Sequence, residues 1–173
     1  MPVLVREADS SDALCIARLF AEMAEEMGGV TAPITSVEDA ARSLPDDPRV
    51  FVLLAEAVPV ETPTAAAATR LPAVGLCIVA VTPDLWTGRN SAEIRALVVK
   101  AGWRERGVGR RLLTEAADRA TALDCAYLYL LTEPQERIVH SLYRSCAMRS
   151  KEVLYFELPL GTTVSSVSAE EGW

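Results

Sequence analysis

The chain has 173 residues, of which 50% are hydrophobic and 24% charged, and its formal net charge is −7. That length suits one domain with a sizeable core, and the balance is that of a folded chain rather than a disordered one. The acidity argues against broad nucleic-acid binding, which needs a basic face for phosphates, and the longest uncharged apolar run, Val74 to Val81, is far too short to cross a bilayer.

Pro2 to Ala8 reads as a short strand, and charge arrives by residue 6 with no apolar stretch of the kind a signal peptide carries. From Ser11 to Met27 the spacing of Ile16, Phe20, Met23, Ala24 and Met27 predicts a helix, stopped by Gly28-Gly29. Ser36 can cap a second short helix that Pro45 ends. Val50 to Val58 is strand-like, and Pro59 to Pro72, rich in Ala, Thr and Pro, reads as a long surface loop. Ala73 to Thr82 and Ala92 to Val99 are further core strands around a turn at Thr82 to Asn90. Val108 to Leu123 is a strong helix with a stripe of Leu112, Leu113, Ala116, Ala117, Ala120 and Leu123. A strand at Ala126 to Leu131, a helix at Gln135 to Ala147 and a last strand at Lys151 to Leu158 follow. The expected organisation is one α/β domain over residues 1–160, its mixed central sheet flanked by helices, with a polar tail at 161–173.

Cys15, Cys77, Cys125 and Cys146 lie far apart without a CxxC pair, and with the single His140 they supply no zinc-finger ligand set. They read as reduced thiols of a cytoplasmic protein, with no membrane segment and no metal.

The charge is unevenly spread. Residues 1–47 hold ten acids and three bases, whereas residues 95–111 hold six bases and only Glu105 as an acid. A compact basic island (Arg95, Lys100, Arg104, Arg106, Arg110, Arg111) suits a small polyanion, or else is a solvated helix end. It coincides with a glycine corner, Arg104-Glu105-Arg106-Gly107-Val108-Gly109, between a strand and a helix. Unpaired N–H groups at such a helix start, backed by the helix dipole, form a phosphate cradle. A Walker loop is excluded because Gly109-Arg110-Arg111 lacks the closing Lys-Ser/Thr. A dinucleotide fingerprint fits poorly, since Leu112 stands where its third glycine belongs and the next strand ends Leu130-Leu131-Thr132.

With Ile94, Leu97 and Val99 on the preceding strand, and Leu142-Tyr143 in the later helix, the corner resembles the GNAT superfamily of acetyl-CoA-dependent N-acetyltransferases. Two positions depart from that pattern: Ala147-Met148 replace the usual Gly-Phe, and Glu136 stands where many members have Asn. The resemblance implies a GNAT-like fold and an acetyl-CoA loop at 97–111. Pyrophosphate would lie on the N–H groups of Arg106, Gly107, Val108, Gly109 and Arg110 with Arg104 alongside, and pantetheine would run beside Leu97, Val98 and Val99. It also implies Tyr143 as the acid for the departing thiolate and Glu93 as the general base.

Amine acetylation needs a neutral nucleophile, so a group must take the ammonium proton at neutral pH. Glu93 reads as the only carboxylate on an apolar core strand, and otherwise as a partner for Arg95. Tyr143 otherwise reads as a half-buried helix tyrosine, His140 as helix surface, Cys146 as inert core, and Trp86 and Trp103 as loop packing. Glu22, Glu25, Glu26, Glu38 and Asp39 form either an acidic wall for a cationic acceptor or the solvated faces of helices.

The expected activity is direct acetyl transfer from acetyl-CoA to a primary amine of a small molecule or protein. A non-catalytic acyl-CoA-binding module and a nucleotide-dependent enzyme are the alternatives. An apolar last strand could pair two copies across a two-fold axis.

Overall fold

In the computed structural model, which describes residues 2–26, 32–58, 71–134 and 137–156, strands and helices follow the expected order. They are β1 (Val3–Glu7), α1 (Ala13–Glu26), α2 (Ile34–Ser43), β2 (Val50–Ala57), β3 (Ala73–Asp84), β4 (Arg89–Val99), α3 (Val108–Ala122), β5 (Cys125–Tyr129) and α4 (Arg137–Ser145). The sheet runs β1-β2-β3-β4-β5; its first four strands are antiparallel neighbours, and β5 lies parallel to β4. This is the expected α/β architecture with a mixed sheet.

Helices cover both faces, which is why β2 reads as an almost unbroken apolar run. Its Phe51, Leu53, Ala55 and Ala57 join Val108, Leu112, Leu113, Ala116 and Ala120 of α3 in one core. Its Val52 and Leu54 join Ala13, Ile16 and Leu19 of α1 and Ala41 of α2 in the other. The expected stripe on α3 holds except that Ala117 is exposed. On α1 the buried set is Ala13, Ile16, Ala17 and Leu19, with Phe20 and Met23 only half-buried.

The helix starts show local chemistry. Before α1, the Asp9 carboxylate accepts from Ser11 N at 2.8 Å while Asp12 accepts from Asp9 N at 2.9 Å, a reciprocal capping box. The cap expected at Ser36 is corrected: α2 begins at Ile34 behind Pro33, and Ser36 lies inside its first turn, donating its N–H to Pro33 O at 2.9 Å. Pro33 stands just before the helix with a non-helical ψ of 140°, and its carbonyl accepts from both Ser36 N and Val37 N.

The expected last strand is also corrected. Residues 151–156 belong to no strand and are exposed, Phe156 at 86%; residues 157–158 lie outside the described residues. β-propensity makes a strand only where a neighbouring strand pairs with it, and no described edge takes this segment. The Gly28-Gly29 stop, loop residues 59–70 and the tail beyond Leu160 likewise lie outside the described residues.

A buried ionic cluster fastens β1 to the rest. The Arg6 guanidinium donates to Asp12 Oδ1 and Oδ2 at 2.9 and 2.8 Å and to Glu56 Oε1 at 2.8 Å. Asp12 and Glu56 are 2% and 5% exposed, so each needs that cation. The pairing, with the Asp12 hydrogen bond foremost, holds Arg6 above the usual arginine range. Glu56 is therefore a second carboxylate on an apolar strand, and a deeper one than Glu93. Removing the cation takes that counter-charge from two buried carboxylates, a change that costs about 3 kcal/mol in comparable buried pairs. Arg6→Met is expected to lower the urea midpoint accordingly, and an unchanged midpoint would show that the cluster adds nothing to stability.

Candidate functional site

The site begins where two strands part. β4 pairs with β5 at Asn90↔Cys125, Ala92↔Leu128 and Glu93↔Tyr129, and no further. From Ile94 to Val99 it keeps β3 on one side, while its outer edge has no strand among the described residues. Those edge N–H and C=O groups have no strand partner among the described residues, and only the Val99 carbonyl is engaged, by the Arg104 side chain.

A bulge sets what faces where. Against β3 the register steps from Val79↔Ile94 to Ile78↔Ala96, so Arg95 is the extra residue in β4. Ala92 and Ile94 therefore lie in the core under α3, whereas beyond the bulge Leu97 and Val99 pack there and Val98 joins the core under α1. Arg95 itself is exposed, and its Nη1 reaches Glu93 Oε1 and Oε2 at 3.1 and 3.2 Å. Glu93, half-buried where the strands part, also accepts from Tyr129 Oη, 3.3 Å from its Oε2. The expected alternative for Glu93, a partner for Arg95, is thus present in the structure, without excluding a chemical role.

Beyond Val99 a short turn at Ala101–Trp103 leads to the glycine corner. Gly107, the residue before α3, has φ +81°, a left-handed conformation that glycine adopts without penalty. No side chain caps α3, and the N–H groups of Val108, Gly109 and Arg110 have no backbone acceptor among the described residues. This is the cradle geometry. Gly109 has a different reason: a Cβ there would come within 3.0 Å of Leu142 Cδ2, so its smallness lets α4 pack on α3.

Five of the six basic side chains of the island are already engaged. Arg104 Nε donates to Val99 O at 3.0 Å and its Nη2 pairs with Glu26. Lys100 Nζ pairs with Glu22 Oε1 at 3.0 Å. Arg106 stacks over Trp103, 5.6 Å from the ring centroid, and Arg110 Nη1 donates to Ser145 O at 3.2 Å. Glu38 is held by Arg42. Three of the five acids of the expected acceptor wall therefore have basic partners on the protein itself. Trp86 stands 98% exposed at the β3–β4 turn, far from any packing role.

Tyr143 lies on α4, half-buried, and packs with Leu142, Cys146 and Met148 against the core under α3. His140 is half-buried on the same helix, and its Nε2 is shut off from solvent with no hydrogen-bond partner among the described residues. At the end of α4, Met148 N donates to Tyr143 O at 3.1 Å and Ala147 has φ +61°. That is a helix stop closed by a left-handed residue, the position glycine usually fills. The first departure from the resembled motif is therefore a backbone matter at a helix end; Glu136 lies outside the described residues.

Burial pushes the Cys15 and Cys125 thiols up and Cys77 to about 12, so these stay protonated and are poor nucleophiles. Among the described residues no cluster of His, Cys, Asp or Glu could hold a metal, and no helix is long and apolar enough to cross a membrane. Tyr129 escaped the sequence reading: Tyr127 and Tyr129 alternate as residues on one strand face do, but only the β4–β5 register brings Tyr129 to Glu93.

The model of the Acetyltransferase (GNAT) family matches residues 34–148. No curated protein matches the chain. Among solved structures, a transcriptional regulator from Bacillus halodurans C-125 superposes with a TM-score of 0.72 at 21% identity, over 91% of this chain and 100% of that one. A possible acetyltransferase from Clostridium difficile 630 gives 0.74 at 16% identity, over 92% and 99%. An aminoglycoside acetyltransferase from an uncultured soil metagenomic sample gives 0.72 at 19% identity, over 92% and 97%. At these identities the likeness is one of fold.

The strained stop at Ala147 yields a direct test. An L-residue held left-handed costs about 1 kcal/mol that glycine does not. Ala147→Gly is expected to stabilise the protein by about that amount in urea unfolding, whereas a loss of stability would mean that the methyl group packs usefully.

Proposed function

Because the chain belongs to the GNAT acetyltransferase family, we propose that it transfers the acetyl group of acetyl-CoA directly to a primary amine. The observation that carries this reading is the outer edge of β4 from Ile94 to Val99, which no strand pairs among the described residues, leading to the uncapped start of α3. The residues present suit acetyl-CoA. Its amide-bearing pantetheine needs donors and acceptors along an extended path, which the backbone of Leu97, Val98 and Val99 offers. Its pyrophosphate needs clustered N–H groups, which Arg106, Gly107, Val108, Gly109 and Arg110 offer. Arg104 would have to leave Glu26 to take part.

Bound acetyl-CoA would supply an acetyl group activated as a thioester. Glu93 takes a proton from the acceptor's ammonium, leaving a neutral amine whose lone pair forms the new N–C bond. A free β4 N–H donates to the carbonyl oxygen as charge develops there. As the C–S bond breaks, Tyr143 gives its phenolic proton to the sulfur, and the second proton that the nitrogen sheds in becoming an amide restores the phenol. Three cysteines held protonated by burial, Cys77 and Cys125 fully and Cys15 in part, favour this direct route over an acetyl-enzyme. Glu22, Glu26 and Glu38 are paired internally and would meet a cationic acceptor only by giving up those partners.

Calorimetric titration with acetyl-CoA, beside NADH and ATP, tests the donor. Saturable binding of acetyl-CoA alone is expected, and Gly107→Glu is expected to abolish it by placing an anion and a strained residue in the cradle. Preference for NADH or ATP would overturn the reading. On an amine panel followed by thiol release, Tyr143→Phe is expected to lower kcat about 100-fold with acetyl-CoA affinity unchanged. Acetyl-CoA binding without turnover of any amine would make the chain an acyl-CoA-binding module instead.

A further inference from the structure

Glu93 is the last β4 residue to pair with β5, and its register partner is Tyr129. Their neighbours Ala92, Ile94, Leu128 and Leu130 all pack into the core under α3, so Glu93 and Tyr129 share the opposite face of the sheet. There the Glu93 carboxylate has two holders of unlike character. Arg95 Nη1 touches both oxygens from the solvent side, on a bulged and exposed residue. Tyr129 reaches Oε2 from within the sheet.

Tyr129 is itself held. Its ring lies 5.8 Å from that of Tyr127, at 49°. Tyr127 Oη donates to Asp84 Oδ2 at 3.0 Å, and Asp84 accepts from Trp86 N at 3.0 Å and Thr87 Oγ1 at 2.9 Å. A chain of contacts thus runs from the β3–β4 turn through both tyrosines to Glu93. A mobile arginine alone would let the carboxylate follow it outward; a phenol fixed to the sheet keeps Oε2 where the strands part. Burial, and then the Glu93 charge, raise the Tyr129 phenol above its usual range, so it stays protonated and serves as the donor in its contact with Glu93. The 3.3 Å separation is long for such a bond, as contacts to catalytic groups often are before substrate tightens the site.

We propose that Tyr129 is a positioning residue that aims the Glu93 carboxylate at the acceptor nitrogen. This rests on the reading of Glu93 as the base, and the test separates the two. Tyr129→Phe removes only the hydroxyl. It is expected to lower kcat roughly 5- to 10-fold, the value of one hydrogen bond, with the KM for acetyl-CoA unchanged. Glu93→Gln is expected to lower kcat much further, and adding Tyr129→Phe to it should lower kcat no more. That coupling is a readout that a purely structural tyrosine would not give, and the cycle cancels any shared effect on folding.

If Glu93→Gln keeps full kcat, Glu93 is not the base and the proposal falls with it. If Glu93→Gln loses activity while Tyr129→Phe does not, the base stands and the positioning role is overturned. Equal losses from Tyr129→Phe in both backgrounds would also overturn it, because the hydroxyl would then act independently of Glu93.

Discussion

Everything in the site depends on a mismatch of strand lengths. β4 runs for 11 residues and β5 for 5, and the two start together at the Asn90 end. A backbone that leaves its pairing partner must find another or meet water. Past Glu93 the outer edge of β4 therefore has no strand beside it among the described residues, and the start of α3 follows its end in the chain. A sheet with strands matched in length would have closed that edge and left no slot.

The bulge at Arg95 is the second constraint. Without the extra residue, alternation would carry Leu97 and Val99 to the face that holds Glu93, and two large apolar side chains would leave the core under α3. With it, β4 is charged on one face where the strands part and apolar on that same side only further on. One inserted residue so allows a single strand to carry both a polar centre and an apolar floor.

The elements were legible because their periods are clean: the α3 stripe, the doubly buried β2 and the glycine corner are local patterns that burial enforces. What escaped depends on distant pairing. Arg6, Asp12 and Glu56 lie too far apart in sequence to be read as one cluster, and Tyr129 meets Glu93 only through the parallel register. Gly107 and Gly109 look alike in the motif, yet one answers to a backbone angle and the other to Leu142 on a helix some thirty residues on. The segment at 151–156 has the composition of a strand, but composition cannot supply the neighbour that a strand requires.

The ties between α1 and the basic island bear on selectivity. Lys100 and Arg104 rest against Glu22 and Glu26, exposed pairs of a kind that contribute about 0.2–1 kcal/mol each. Such pairs are weak enough for a well-fitted dianion to displace, yet they mask the island from anions that bring charge without fit. In a chain of net charge −7, the acids of the first helix act as a resident competitor. On the proposed reading they raise the threshold for casual polyanions such as nucleic acid, and the backbone of the glycine corner would decide which phosphates are held.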